Sequence, residues 1–208
     1  MPALSDHIHA SSYLRVLCLH GYHGSGAILR HQMESLAASL PPNIEFVHVN
    51  APSLATGDFG WWHEGFDRWE RTRDWVVELV SAGPRFHGIF GFSQGAALAG
   101  LLTALQESGG TPPEFHLDFA IMVGGFTSDL PKHAELFRRK LTTPSLHVIG
   151  RSDVIVPRAD SLRLADRFAD PVVLEHPGGH IVPGHGAVAG PIADFLSGRP
   201  LVIHRRAR

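Results

Sequence analysis

The pentapeptide Gly91-Phe92-Ser93-Gln94-Gly95 constrains the fold more than any other stretch of this chain. It follows a short apolar run at residues 88–90. After it, apolar residues recur every three or four positions, the spacing of one helical face: Ala97, Leu98, Leu101, Leu102 and Leu105. The pattern predicts a strand, a sharp turn with Ser93 at its apex, and a helix. Such a turn strains the serine backbone, and the two flanking glycines leave the room that it needs.

A chain with 22 glycines can contain G-x-S-x-G by chance, so an ordinary strand-to-helix turn is the alternative. The rest of the chain favours the nucleophile interpretation because it alternates apolar strands with amphipathic helices. Strands are predicted at 15–19, 44–49, 117–123, 145–149 and 172–175, and helices at 28–40, 68–82, 132–140, 158–168 and 187–196. Repeated strand–helix units imply an α/β fold with a mostly parallel sheet that helices cover on both faces.

Length and composition limit the domain organisation and the partners. We expect one domain over residues 14–197, with a polar N-terminal segment over 1–13 and a basic tail over 198–208. A net charge of −2 gives no sign of a nucleic-acid partner. No apolar run approaches the roughly 18 residues of a membrane span, and no signal-peptide pattern is visible, so we expect no stable membrane insertion and a cytoplasmic location.

The 15 histidines do not have the spacing of a metal motif. His63-Glu64, for example, lacks the second histidine of H-E-x-x-H. We therefore expect no catalytic metal. The single cysteine, Cys18, lies in an apolar run, which predicts a buried core thiol.

A serine nucleophile needs a base to take its proton and an acid to hold that base. In parallel-sheet proteins these groups lie at the carboxyl ends of strands. Asp153 directly follows a predicted strand, whereas Asp129 lies further beyond its own strand, where a turn or a helix cap is expected. We predict Asp153 as the acid, with a structural aspartate that caps its turn as the alternative.

His180 is the predicted base, since two glycines before it free its loop to place the ring over Ser93. His185, near the start of the last helix, suits a surface position better, and His176 suits a strand end. The order Ser93, Asp153, His180 is the chain order of α/β-hydrolases.

The oxyanion of an acyl transfer needs two preorganised N–H donors. The backbone N–H of Gln94, directly after the nucleophile, is one candidate. The other is the backbone N–H of Tyr22, in the glycine-rich loop after the first strand. His20 is expected to brace this loop by hydrogen bonds.

Five stretches together resemble the family serine hydrolases, the FSH family: L-C-L-H-G-Y at 17–22, G-W-W at 60–62, G-F-S-Q-G-A at 91–96, P-S-L-H-V-I-G-x-x-D at 144–153 and G-G-H at 178–180. This chain departs from the family in its very short helical cap region, so we expect a minimal cap. The resemblance implies a short α/β-hydrolase fold. It also implies a triad of Ser93, Asp153 and His180, and esterase or thioesterase chemistry without a cofactor. The partner would be a small-molecule acyl ester or thioester, including one presented by an acyl carrier. A non-catalytic receptor or carrier on the same fold is the alternative.

The longest irregular stretch, residues 50–67, is rich in aromatic side chains: Phe59, Trp61, Trp62 and Phe66. Exposing them together would create an apolar patch. We predict that they wall a pocket for a medium or long acyl chain beside Ser93, together with Phe126. The alternative is that they cover the edge of the core.

Overall fold

The computed structural model describes residues 13–52, 60–63, 68–184 and 186–198. Its strands are β1 (Leu14–Leu19), β2 (Ile44–Val49), β3 (Gly88–Phe92), β4 (Phe119–Val123), β5 (Ser145–Gly150) and β6 (Val172–His176). Its helices are α1 (Gly26–Ala38), α2 (Trp69–Ala82), α3 (Gln94–Glu107), α4 (Pro131–Ala134), α5 (Arg158–Ala165) and α6 (Ala189–Ser197). Short 3₁₀ turns at Glu135–Phe137 and Gly186–Val188 follow α4 and precede α6.

The six strands form one sheet in the order β2-β1-β3-β4-β5-β6, and every neighbouring pair is parallel. Strands β3, β4 and β5 are buried along their whole length, whereas β2 and β6 at the edges are partly exposed. Uniformly apolar central strands are what a parallel sheet covered on both faces requires. The predicted α/β class is confirmed.

Two apolar cores flank the sheet. On one face, α2, α3 and α5 pack on the side chains of Leu17, Ile89 and Met122, among others. On the other face, α1 and α6 pack on alternate residues of the same strands, including Cys18. Because successive strand residues point to opposite faces, one apolar strand supplies both cores. Cys18 is fully buried, as predicted, and burial raises the pKa of its thiol.

The helices predicted at 132–140 and 158–168 are shorter in the structure. The first ends as the 3₁₀ turn at Phe137, and the second ends at Ala165. Between them the backbone N–H of Leu141 donates to the carbonyl of Arg167 at 2.8 Å, and the carbonyl of Leu141 accepts the N–H of Ala169 at 2.8 Å. These two hydrogen bonds form an isolated parallel bridge between Leu141 and Phe168. Neither segment remains helical up to this bridge, because there the backbone N–H and C=O groups pair with the other segment and not within a helix.

The carboxyl ends of the strands meet at one edge of the sheet. Loops there carry Tyr22 after β1, Ser93 after β3 and Phe126 after β4, with Asp153 after β5 and His180 after β6. None of the described helices is both long and apolar enough to cross a membrane. Phe59, Phe66 and His185, all weighed above, lie outside the described residues, as do 1–12 and 199–208 of the two terminal segments.

Candidate active site

Ser93 occupies the tight turn between β3 and α3. Its backbone has φ 56° and ψ −117°, a conformation that costs a residue with a Cβ free energy. The serine is the N-cap of α3, yet its hydroxyl makes no capping hydrogen bond to the helix. The strained turn confirms the geometry predicted from the pentapeptide, and it leaves the hydroxyl available for chemistry.

Gly91 and Gly95 make this turn possible. A Cβ at Gly91 would collide with the backbone of Gly95, and a Cβ at Gly95 would collide with the backbone at the end of β1. Helix α3 therefore starts in direct backbone contact with the sheet. The first N–H groups of such a helix have no intrahelical partner and point toward its N-terminal end, beside Ser93.

Asp153 and His180 form a hydrogen-bonded pair in which the aspartate is buried and the histidine is partly exposed. The Nδ1 of His180 lies 2.7 Å from the Oδ2 of Asp153, and the two side chains are 16% and 2% exposed. The Oδ1 of Asp153 accepts the backbone N–H groups of Ile155 and Val156, both at 2.9 Å. Both carboxylate oxygens are therefore engaged, which fixes the carboxylate and orients the imidazole.

The loops that carry this pair are bonded to each other. The N–H of Ser152 donates to the carbonyl of Gly178 at 3.1 Å, and the Ser152 hydroxyl donates to that of Pro177 at 3.0 Å. Gly150 packs so closely against Gly178 and Gly179 that a Cβ there would collide with their carbonyls. The histidine loop is thus held on the aspartate loop by backbone contacts.

The imidazole of His180 also lies against the nucleophile strand. Its ring centroid is 4.8 Å from that of Phe92, the residue before Ser93. Asp129, the other candidate acid, is exposed and lines a cavity beside Ser93 instead. His176 ends β6, as expected, and burial lowers its pKa.

The loop after β1 packs on the other side of Ser93. A Cβ at Gly21 would lie 3.3 Å from the Cβ of Ser93, so the backbone approaches the nucleophile closely there. His20 braces this loop: its Nε2 accepts the N–H of Ala51 (3.1 Å), and its Nδ1 therefore donates to the carbonyl of Gly21 (2.8 Å). Burial lowers the pKa of His20, which favours this neutral form.

The side chain of Gln94 has a role that the sequence did not indicate. Its Oε1 accepts the N–H of Trp61 at 2.7 Å, and its Nε2 donates to the carbonyl of Trp62 at 2.9 Å. The Trp61 indole N–H donates to the carbonyl of His20 at 2.7 Å. Segment 60–63 is thus tied both to the first residue of α3 and to the loop after β1.

These bonds place the two tryptophans differently from the prediction. Trp61 is fully buried and Trp62 is 5% exposed, and both belong to the core on the α3 face of the sheet. Neither lines the cavity beside Ser93. The prediction that they wall the acyl pocket is corrected: their backbone is held against α3, which directs the indoles inward.

A cavity of about 360 Å³ opens beside Ser93 and Gln94. Phe126 lines it, and so does Tyr22, whose side chain is half exposed. The other described residues of its wall are Thr127, Asp129, Ile155, Val156, Asp160 and Arg163. Sequence reasoning missed five of these six residues, all except Asp129. Their position after β4 and β5, at the edge that carries the triad candidates, was the available signal.

Among the described residues, no group of three or more histidine, cysteine, aspartate or glutamate side chains is placed to hold a metal ion. The site consists of a strained serine, a histidine–aspartate pair, a helix N-terminus and a cavity. Such an arrangement supports nucleophilic attack on a carbonyl carbon.

Comparison with solved structures identifies the fold. The crystal structure of Zea mays acyl-protein thioesterase 2 superposes with a TM-score of 0.66 over 89% of this chain and 93% of that one. Only 22% of the residues are identical, so the likeness concerns the fold. The predicted α/β-hydrolase fold is confirmed. The minimal cap stays a prediction.

Curated relatives are much closer in sequence. Esterase OVCA2 of Xenopus tropicalis is 38% identical over 200 residues, which cover 82% of this chain and 86% of that protein. Esterase OVCA2 of Danio rerio is 34% identical over 88% of this chain and 96% of its own. The family described as serine hydrolase (FSH1) matches residues 10–191. The chain belongs to this family of serine hydrolases.

Proposed function

We propose that this serine hydrolase cleaves carboxylic esters and thioesters through an acyl-enzyme on Ser93, with His180 as general base and Asp153 as its partner. The observation that carries the proposal is the 2.7 Å bond between His180 Nδ1 and Asp153 Oδ2, next to the strained Ser93 turn. The esterase names of the relatives point to the same chemistry.

The hydrogen bond assigns the protons of His180. An ionised carboxylate only accepts hydrogen bonds, so Nδ1 of His180 carries its hydrogen toward Asp153. The lone pair then resides on Nε2, which takes the proton of the Ser93 hydroxyl as the oxygen attacks the carbonyl carbon. The buried Asp153 stabilises the imidazolium that results, and His180 returns the proton to the leaving alcohol or thiol. Water activated in the same way then hydrolyses the acyl-enzyme.

The oxyanion is expected to form where two backbone elements meet. The N–H of Gln94 begins α3, and the N–H of Tyr22 belongs to the loop that approaches Ser93 through Gly21. The positive end of the helix dipole adds to their stabilisation of the negative charge. This stabilisation depends on the carbonyl oxygen alone, so esters and thioesters are both substrates of the proposed mechanism.

The cavity receives the acyl group. Phe126 and Val156 contribute an apolar surface for a medium or long chain, and each buried methylene adds about 0.8 kcal/mol of binding. Ile155 is 68% exposed and the Tyr22 side chain is half exposed, so the cavity is open to solvent at these residues. An open cavity also admits an acyl group that is presented on an acyl carrier.

The direct test is the Ser93→Ala variant. Wild-type protein is expected to bind a fluorophosphonate probe covalently and to hydrolyse p-nitrophenyl octanoate. Ser93→Ala is expected to lose labelling and to lose kcat by several orders of magnitude, with an unchanged Tm. Wild-type protein that neither labels nor hydrolyses any ester or thioester would instead be a non-catalytic binder.

The choice of acid is tested by two matched variants. Asp153→Asn is expected to lower kcat about 10³- to 10⁴-fold, because the amide no longer stabilises the imidazolium. Asp129→Asn alters an exposed carboxylate of the cavity and is expected to have a far smaller effect on kcat. The opposite ranking, with both variants folded, would exclude Asp153 as the partner of His180.

A further inference from the structure

One side of the cavity beside Ser93 is charged. Asp129 comes from the loop after β4, and Asp160 and Arg163 come from one face of α5. Thr127 lies in the same lining. We call Asp129, Asp160 and Arg163 the charged wall. A pocket for a purely hydrocarbon chain would leave these groups facing apolar atoms, at a cost in their hydration.

The charged wall is fixed relative to the nucleophile. Ser161, which lies between Asp160 and Arg163 in the sequence, is buried, and its hydroxyl donates to the carbonyl of Gly125 at 2.8 Å. At the next turn Leu164 packs against Gly125, which also touches Ala96 of α3. Helix α5 therefore packs on the loop after β4, and this loop in turn packs on α3, the helix that follows Ser93.

Within the charged wall, Arg163 and Asp160 pair at 2.6 Å, three residues apart on the helix. The side chain of Arg163 is 62% exposed and that of Asp160 is 32% exposed. An ion pair with this exposure contributes little free energy, so a substrate group can replace one of its contacts at small cost.

We propose that the charged wall selects substrates whose acyl chain carries a hydroxyl group at a distance from the scissile carbonyl, an inference that rests on the proposed function. A hydroxyl donates to Asp160 or Asp129 and accepts from Arg163, so it uses both kinds of group in the wall. It is also neutral, so it enters the cavity without the desolvation cost of an ion.

Charged acyl chains fit the wall less well. The two carboxylates and one guanidinium give it a net charge of −1, which repels a terminal carboxylate even though Arg163 attracts it. An ammonium group finds acceptors in Asp129 and Asp160, but as an ion it enters the cavity at a desolvation cost that a hydroxyl avoids.

The experiment compares kcat/KM of the wild-type protein on four sets of p-nitrophenyl esters. These are octanoate, hydroxyoctanoates with the hydroxyl at carbon 4, 6 or 8, 8-aminooctanoate and the monoester of octanedioic acid. At the best position the hydroxyl is expected to raise kcat/KM roughly 2- to 10-fold over octanoate, the effect of one net hydrogen bond. An apolar site would instead disfavour every hydroxyl, and a preference for the amine or the carboxylate would also overturn the proposal.

Two substitutions connect the preference to the charged wall. Asp160→Asn and Arg163→Met are each expected to bring the ratio of hydroxyoctanoate to octanoate activity back toward one. The matched control is Asp166→Asn, because Asp166 ends the same helix and pairs with Lys140 at 2.7 Å without lining the cavity. This control is expected to keep the wild-type ratio of hydroxyoctanoate to octanoate activity. A ratio near one in Asp166→Asn would show that the preference depends on the net charge around α5 and not on the charged wall.

The outcomes separate this inference from the proposed function. Hydrolysis of octanoate without a preference for any hydroxyl position overturns only the role of the charged wall. Absence of hydrolysis of every ester, together with absence of fluorophosphonate labelling, overturns the proposed function as well.

Discussion

Gly124 lies directly against the histidine–aspartate pair. Its φ is +57°, and a Cβ there would lie 3.1 Å from the Cε1 of His180 and 3.5 Å from the Oδ2 of Asp153. Only glycine adopts this backbone conformation at little cost and also leaves the pair undisturbed. The first residue after β4 thus limits where the imidazole of His180 can be placed.

We predict that Gly124→Ala lowers kcat for p-nitrophenyl octanoate roughly 10- to 100-fold, because the added methyl displaces the imidazole from its position. The matched control is Gly109→Ala. Gly109 has φ +75°, and a Cβ there would meet nothing within 4 Å. In both variants an alanine must adopt a left-handed backbone conformation, which is expected to lower the free energy of unfolding by about 1–2 kcal/mol. Chemical denaturation measures this decrease. Equal kcat values for the two variants would contradict a steric role for Gly124.

For single residues, the sequence predicted the local backbone conformation better than it predicted which residues contact each other in the fold. The strain at Ser93 followed from the pentapeptide, because glycines on both sides of a serine at a strand end have few other uses. The burial of Trp61 did not follow, because it depends on a bond to Gln94, 33 residues further along the chain. Local composition describes an aromatic side chain as apolar, and it does not specify which apolar surface the side chain joins.

Helix α3 carries two glutamines that hold distant segments in the same way. Gln94 at its start bonds the backbone of Trp61 and Trp62, and Gln106 near its end both donates to and accepts from the backbone of Leu117. Each side chain therefore holds a loop by two hydrogen bonds, one donated and one accepted. The two glutamines differ in their location, since only Gln94 adjoins Ser93.

We predict that Gln94→Ala and Gln106→Ala each lower the free energy of unfolding by about 1–3 kcal/mol, because each leaves a backbone donor and a backbone acceptor without their partners. Only Gln94→Ala is expected to lower kcat/KM, since segment 60–63 then moves relative to the start of α3. Urea denaturation and ester kinetics measure the two effects. A similar loss of kcat/KM in Gln106→Ala would mean that the activity follows stability alone.

The order of the elements followed from apolar periodicity, and their ends were less accurate. β2 was predicted at its observed bounds because Pro41 and Pro42 end the preceding helix and a turn-rich stretch follows the strand. The ends of α4 and α5 were wrong because the bridge between Leu141 and Phe168 joins segments that are distant in sequence. A periodic pattern contains no information on such a pairing.

At the scale of the whole molecule, burial keeps several histidines neutral. It lowers the pKa of His147 to about 3, and it also lowers the pKa of others: His20, His48, His133 and His176. His147 packs against the ring of Phe168, and its Nε2 lies 3.1 Å from the hydroxyl of Ser145. The folded protein therefore binds fewer protons than the unfolded chain at mildly acidic pH.

Stability must consequently fall as the pH decreases through the pKa of an unfolded histidine, near 6.5. We predict that His147 alone lowers the free energy of unfolding by about 2 kcal/mol when the pH decreases from about 7 to about 5. At the lower pH this histidine is protonated in the unfolded chain and neutral in the folded protein. Carboxylates contribute little over this range, since their unfolded pKa values lie lower. Denaturation of His147→Gln at the two pH values is expected to show a smaller difference than wild type.

Exposed His31 provides the control for this measurement. Its side chain is 82% exposed, so His31→Gln removes a histidine without removing a buried one. This variant is expected to keep the wild-type dependence of the free energy of unfolding on pH. An equal reduction in both variants would mean that the number of histidines matters and their burial does not.

The arrangement of the tryptophans gives the protein an optical property. The chain has four of them, and all four belong to or pack on the core of the α3 face. Ring centroids are 6.4 Å apart for Trp61 and Trp75, and 6.5 Å apart for Trp62 and Trp69. The indole of Trp61 lies 4.8 Å from the ring of His20, in the loop beside Ser93. Tryptophan fluorescence of this chain therefore comes from a single apolar core that reaches the loop beside Ser93, and a change in tryptophan emission on adding a substrate analogue reports on that core.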